Sequence, residues 1–210
     1  MKIISIRFKN INSLKGEHQI RFDKYPLQDS GIFAITGPTG SGKSTLLDVI
    51  TLALFNQIPR LPKVSKTEIT KSGSVVTHNC KEAFAQITYR VKNNEYTSVW
   101  SISQTKKGAF KDYEMTLFKP DGIPFDLKKS EIPAQNEALI GLKYQQFIKA
   151  ILLSQGEFAR FLKAKKNERG KLLEDITGTD IYRHLGELCH QTYKKFLQEL
   201  EQKRQEWEAI

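Results

Sequence analysis

The stretch GIFAITGPTGSGKSTLLDVITLAL, from Gly31 to Leu54, decides the fold. Ile32, Phe33, Ala34 and Ile35 read as a buried strand. A glycine-rich turn follows, and then a segment whose Leu46, Leu47, Val49, Ile50 and Leu54 read as a packed helix. Gly37, Gly42, Lys43 and Ser44 fit G-x-x-x-x-G-K-[ST], the phosphate-binding loop. Each residue type has a reason to be there. Glycines at 37, 40 and 42 let the turn aim successive N–H groups inward as an anion cradle. The start of the helix adds unpaired N–H groups and the positive end of its dipole. Lys43 supplies a point charge for the β- and γ-phosphates, and Ser44 a hydroxyl for Mg²⁺.

The 210 residues suffice for one domain with a real core plus an appendage. No apolar run approaches the ~20 residues of a membrane span. The N-terminus opens directly on a strand-like KIISIRF, so no signal peptide is expected. Cys80 and Cys189 lie far apart with no Cys or His partner at metal spacing. They read as free thiols in a reducing compartment, the cytoplasm. Lys and Arg total 33 against 23 Asp and Glu, a formal charge of +10. That excess suits a polyanion such as nucleic acid; from charge alone, a solvated basic surface without a partner is the equal alternative.

Along the chain, Lys2–Phe8 reads as a strand, with Ile4, Ile6 and Phe8 alternating against Lys2, Ser5 and Arg7. Asn10, Asn12, Ser13 and Gly16 are turn formers, and His18–Phe22 is a second short strand. Gln57–Ser74 is long, basic and irregular, with Lys63, Lys66 and Lys71. Three strands then form an antiparallel meander: Phe84–Val91, Tyr96–Ser103 and Glu114–Lys119. Glu131–Leu142, Tyr144–Leu153 and Asn167–Ile176 read as helices. In the last segment Cys189, Tyr193, Phe196, Leu200, Lys203, Trp207 and Ile210 step by 4, 3, 4, 3, 4, 3, a heptad seam. An ordinary amphipathic surface helix is the plainer alternative. A seam still running at Ile210 reads as interrupted rather than finished.

A phosphate-binding loop alone does not hydrolyse nucleotide. Hydrolysis needs a group that positions water, a metal ligand beyond Ser44, and usually an acidic base. Gln155, in the polar break Ser154-Gln155-Gly156-Glu157, is the candidate: its amide oxygen can meet Mg²⁺ while its nitrogen orients water. The acidic strand that normally accompanies the loop, four apolar residues and then Asp, is not found. Leu172-Leu173-Glu174-Asp175 sits in a helical pattern, and Ser72-Gly73-Ser74 lacks the surroundings of a signature motif. His18, His78, His184 and His190 are scattered. The residues make half of an ATPase site.

FKNINSLKG, FAITGPTGSGKSTLLDVITLALF, PRL, LLSQGEFARFLKA and ERGKLLEDITGTDIY together resemble the N-terminal part of the SbcC family, ATPase subunits of bacterial SbcCD nuclease complexes and relatives of the SMC proteins. The resemblance covers essentially the whole chain, and Leu152–Tyr182 is its specific part. It implies an α/β P-loop NTPase: an ABC-ATPase-type N-terminal head lobe at 1–180, with a mixed sheet and an antiparallel β meander, and the start of an antiparallel coiled coil at 181–210. It implies that Gly37, Pro38, Thr39, Gly40, Ser41, Gly42, Lys43, Ser44 and Thr45 bind ATP, that Ser44 and Gln155 share Mg²⁺, and that Thr70 and Lys71 approach base and ribose. Lys43 and Gln155 would be the catalytic pair. Asn12 stands where some relatives carry an arginine near the nucleotide.

The implied partners are a C-terminal lobe of the same protein, a second head in a homodimer, an SbcD-like nuclease subunit and double-stranded DNA, with no membrane. Lys63, Lys66, Lys106, Lys107, Lys111, Lys165 and Lys166 are candidates for DNA phosphates. A transporter-type ATPase subunit or small-molecule kinase is the alternative from another class; the heptad tail and basic charge argue against it. A fragment unable to hydrolyse ATP without its missing half is a third.

Overall fold

Alternation with period two puts Ile4, Ile6 and Phe8 on one face of the first strand and Ser5, Arg7 and Lys9 on the other. In the computed structural model, which describes residues 1–61, 64–65, 67–69, 75–150 and 180–208, that strand is β1 (Lys2–Ile11). It is followed by β2 (Leu14–Arg21), α1 (Lys43–Phe55), β3 (Glu82–Val91), β4 (Asn94–Ser103), β5 (Glu114–Phe118), α2 (Ile132–Ile140), α3 (Tyr144–Ala150) and α4 (Asp180–Glu208). The chain divides into two units, Met1–Tyr144 and Gln145–Ile210.

In the first unit the strands form one sheet in the order β2-β1-β3-β4-β5. The expected meander is present, and β1 pairs with β3 to join it to the first hairpin. β1 outruns the expected Phe8 because Asn10, in left-handed conformation, is held by its own side chain. Its Nδ2 donates to the Glu82 carbonyl at 3.0 Å, and its Oδ1 accepts from the Gly16 N–H at 2.8 Å.

Two expectations are corrected. The sheet is not mixed: among the described residues every strand pairing is antiparallel. Nor is Ile32–Ile35 a buried strand. It is exposed throughout, Ile32 at 94%, Phe33 at 46% and Ile35 at 50%. An apolar run meets the local requirement for a strand, but a strand exists only by pairing its backbone. No backbone of the described residues pairs with this one.

The register sets Ile6, Ile87, Ser98 and Leu117 in one row across the inner face, and Phe8, Ala85, Trp100 and Met115 in the next. All eight are buried, and α1 packs over them across β1, β3 and β4. Val49, Leu52, Ala53 and Leu54 are wholly buried, whereas Leu47 remains 38% exposed. α2 closes the β5 end through Ile132, Met115 and Leu117, with Tyr96, Phe125 and Leu139 around them.

A helix end leaves carbonyls without intrahelical partners. At the end of α1 the sheet and α2 supply donors. Ser98 Oγ donates to the Ala53 carbonyl at 2.7 Å, and Asn136 Nδ2 to the Leu54 carbonyl at 2.8 Å and to Ser98 Oγ at 3.1 Å. The Tyr89 hydroxyl donates to Asn136 Oδ1 at 2.6 Å, and burial pushes that phenol far above its ordinary range. Asn56 closes the helix in left-handed conformation, its N–H donating to the Leu52 carbonyl and its Oδ1 accepting from Trp100 Nε1 at 2.8 Å. Every buried side-chain N or O atom among the described residues has a partner.

In the second unit α4 is a 29-residue helix, as expected of the last segment. Its Tyr193, Phe196, Leu200 and Trp207 are all exposed, as are Ile181, Leu185 and Leu188. Arg183 and Glu187 pair across one turn at 3.0 Å. No second helix of a coiled coil lies among the described residues of this unit. The expected helix at 167–176 lies outside the described residues.

Asn136→Ala leaves the Leu54 carbonyl and the Tyr89 hydroxyl unpaired in the core, and lowers the stability to urea by about 3 kcal/mol. Tyr89→Phe removes one donor and costs about 1 kcal/mol. Equal losses for the two variants would show that the amide does not hold the helix end.

Candidate nucleotide site

The loop that joins the exposed 31–35 segment to α1 takes its shape from glycine. Gly42, the residue that caps α1, has φ +89°, and a Cβ there would stand 2.7 Å from Leu14 Cδ2. Backbone and space both demand glycine. A Cβ on Gly37 would lie 2.9 Å from Ser41 Oγ, because the loop folds back on itself. The Ser41 N–H donates to the Pro38 carbonyl at 3.3 Å. Phe33 leads into the loop with its ring against Phe22, centroids 5.7 Å apart.

Lys43 curls over this loop. Its ammonium donates to the carbonyls of Gly37 at 2.7 Å and Pro38 at 2.6 Å, with Ser41 Oγ 3.4 Å away. Gly37, Pro38, Thr39, Gly40 and Ser41 are exposed, as is Ser44. Thr45 differs: it is buried, and its N–H donates to the Gly42 carbonyl at 3.0 Å. The first turn of α1 holds no acidic residue, and Gly42 offers no side chain to cap it. The N–H groups at the helix start therefore keep their positive potential toward the loop. This donor set fits a polyphosphate: loop amides, an uncapped helix start and an ammonium. The Ser44 hydroxyl, exposed in the first turn, fits the metal ion that accompanies one. Among the described residues no three His, Cys, Asp or Glu side chains gather into a metal site.

The structure brings Gly37 through Thr45 together. Thr70, Lys71 and Gln155 lie outside the described residues, as do Lys63, Lys66, Lys165 and Lys166. What the sequence reading missed is Asp48. It stands one turn beyond Ser44 and is 3% exposed. Its Oδ2 accepts from Asn12 Nδ2 at 2.9 Å and is ion-paired with the Arg60 guanidinium. Burial pushes its carboxyl above the usual range, against the weaker opposite pull of Arg60 and Asn12. The Tyr144 hydroxyl is in turn raised to about 12, by burial first and by Asp48 second. An acidic residue flanked by the buried run Val49–Phe55 was the available signal.

On the outer face of the sheet three positive charges carry ion pairs. Arg7 pairs with Glu17 at 2.6 Å, Lys9 with Glu82 at 2.6 Å, and Arg90 with Glu95. Lys106 and Lys107 stand apart from these pairs, exposed at the tip of the β4–β5 hairpin. There the Gly108 N–H closes the turn on the Thr105 carbonyl at 2.9 Å. Lys111 is exposed on the returning side of the same hairpin.

Comparisons with known proteins bear on the chain as a whole. The family model described as "AAA domain" matches residues 5–210. The SbcC component of the nuclease SbcCD of Pseudomonas aeruginosa is 37% identical over 207 residues, covering 91% of this chain and 17% of that protein. Its counterpart from Rhodobacter capsulatus is 34% identical over 199 residues, covering 87% of this chain and 16% of that protein. A probable DNA double-strand break repair Rad50 ATPase of Aquifex aeolicus is 27% identical over 210 residues, covering 100% of this chain and 20% of that protein. The chain thus spans about a sixth to a fifth of the length of these curated relatives. By the family match the chain belongs to the AAA domain family, and in sequence it is related to SbcC and Rad50 proteins.

Proposed function

We propose that this chain is the ATP-binding half of a DNA-repair ATPase head, which works with Mg²⁺, a companion lobe, a second head and a nuclease subunit. The observation that carries the reading is the loop Gly37–Thr45, with Lys43 folded over it and an uncapped helix behind it. The loop amides and Lys43 take the phosphate oxygens, and Ser44 with Gln155 holds the metal ion. Thr70 and Lys71 approach the base and ribose. Residues 1–180 form the lobe, and 181–210 begin an antiparallel coiled coil, for which the exposed apolar side chains of α4 are suited.

The companion lobe is supported by the exposed apolar segment Ile32–Ile35, whose backbone and side chains a strand from that lobe would cover. Such a lobe would also bring the acidic strand and the signature motif that the sequence lacks. In the complete head, ATP held between two copies acts as a clamp. Its binding energy shifts the population from open to closed heads and controls the access of DNA to an SbcD-like nuclease. The cleavage chemistry belongs to that partner. Alone, this chain turns ATP over weakly or not at all, because its loop binds phosphate but does not activate water. The site of action is the cytoplasm, at the nucleoid. For DNA, Lys106 and Lys107, exposed together at a hairpin tip, are stronger candidates for phosphate contacts than Arg7, Lys9 and Arg90, which are ion-paired.

Lys43→Ala abolishes Mg·ATP binding by calorimetry; undiminished binding overturns the loop assignment. Gln155→Ala keeps most of the binding but loses turnover in the completed head, and unchanged turnover removes its metal role. The pair Lys106→Glu and Lys107→Glu weakens the binding of duplex DNA and reduces the salt slope of log K by about 2, one for each phosphate no longer neutralised. An unchanged slope puts the DNA elsewhere.

A further inference from the structure

A carboxylate rarely goes fully inside a protein unless it is paired, and burying a paired one is often neutral or unfavourable for stability. Asp48 is such a group. It is 3% exposed, and burial raises its proton affinity more than Arg60 and Asn12 together lower it. Such a pair is therefore a poor source of stability. Its position gives it another task. Four residues after Ser44 on α1, it lies on the same helix face one turn deeper. A single oxygen, Oδ2, receives Asn12 from the β1–β2 turn and Arg60 from the segment after α1. Asn12 is itself fixed in left-handed conformation, and its N–H donates to the Val75 carbonyl at 2.8 Å. Two residues further, Leu14 lies directly beneath the Gly42 corner, where a Cβ would meet Leu14 Cδ2 at 2.7 Å and Cγ at 2.8 Å.

We propose that Asp48 is a positioning residue for nucleotide binding: through Asn12 it presses the β1–β2 turn, with Leu14, against the Gly42 corner and so fixes the start of α1 where the phosphates arrive. The inference rests on the reading of Gly37–Thr45 as the phosphate site. Arg60, 57% exposed along its side chain, holds the carboxylate from the solvent side. The Tyr144 hydroxyl is the other titratable group that senses the carboxylate. A purely structural carboxylate would lower stability when removed and leave affinity alone. A positioning one weakens affinity in a chain that is still folded.

The test uses Asp48→Leu, which fills the space without charge, Asp48→Asn, which keeps an acceptor for Asn12, and Asn12→Ala. Mg·ATP affinity is read by calorimetry and stability by thermal unfolding. Asp48→Leu, measured well below its melting temperature, binds Mg·ATP about tenfold more weakly. Asp48→Asn returns to within about threefold of wild type. Asn12→Ala weakens binding about fivefold, and adding it to Asp48→Leu costs nothing more, since the two act through one contact. Wild-type affinity in Asp48→Leu overturns the proposal. If that variant does not fold, wild-type affinity in Asn12→Ala overturns it equally. A wild-type chain that binds no Mg·ATP refutes the phosphate site itself, a failure distinct from a bound wild type with indifferent variants.

Discussion

Helix α1 is held at both ends by polar groups that have no business in an apolar core except to hold it. At its far end Ser98 and Asn136 take up the carbonyls of Ala53 and Leu54. Near its start Asp48 gathers Asn12 and Arg60. Hydrophobic contact with Phe8, Ile87 and Trp100 presses a helix onto a sheet but resists sliding and rotation poorly, because apolar attraction has no direction. Hydrogen bonds at fixed distances supply that direction. The phosphate loop is the N-terminal extension of this helix, so its place is only as well defined as the helix behind it.

The two halves of the site do different physical work. The loop offers donors and positive potential: N–H groups at an uncapped helix start and the Lys43 ammonium. None of these is destroyed by moving a few tenths of an ångström, but their convergence is. The turn beneath carries Leu14, whose side chain limits where Gly42 can stand. In the proposed site, affinity would be divided between groups that attract and groups that aim, as preorganised sites require.

Most strands were legible because the signal is local. Ile4, Ile6 and Phe8, and later Ala85, Ile87 and Tyr89, recur at every second position and are buried on one face, although Ile3 interrupts the alternation in the first strand. The phosphate loop was legible because its spacing has few other uses. Ile32–Ile35 was misread for the opposite reason: an apolar run has the same composition whether or not a neighbouring strand is there to pair with it. Asp48, Ser98 and Asn136 left no local trace as a group. Their partners lie 36, 45 and 82 positions away in sequence, and only the register of β3 and β4 and the docking of α1 bring them together. Thr70, Lys71 and Gln155 fall where the described structure does not reach.

The order of the strands has a kinetic consequence. β3 and β4 are joined by a two-residue turn and β4 and β5 by a ten-residue connection, so these strands can pair among themselves locally. β1 must find β3 across everything from Leu14 to Lys81, a span that includes the entire loop and helix α1. Closing so long a span is slow in chain-entropy terms, and non-local pairing of this kind governs folding speed. Chain order thus favours the two local hairpins over the β1–β3 seam, and the loop and α1 lie in the stretch that this seam must close.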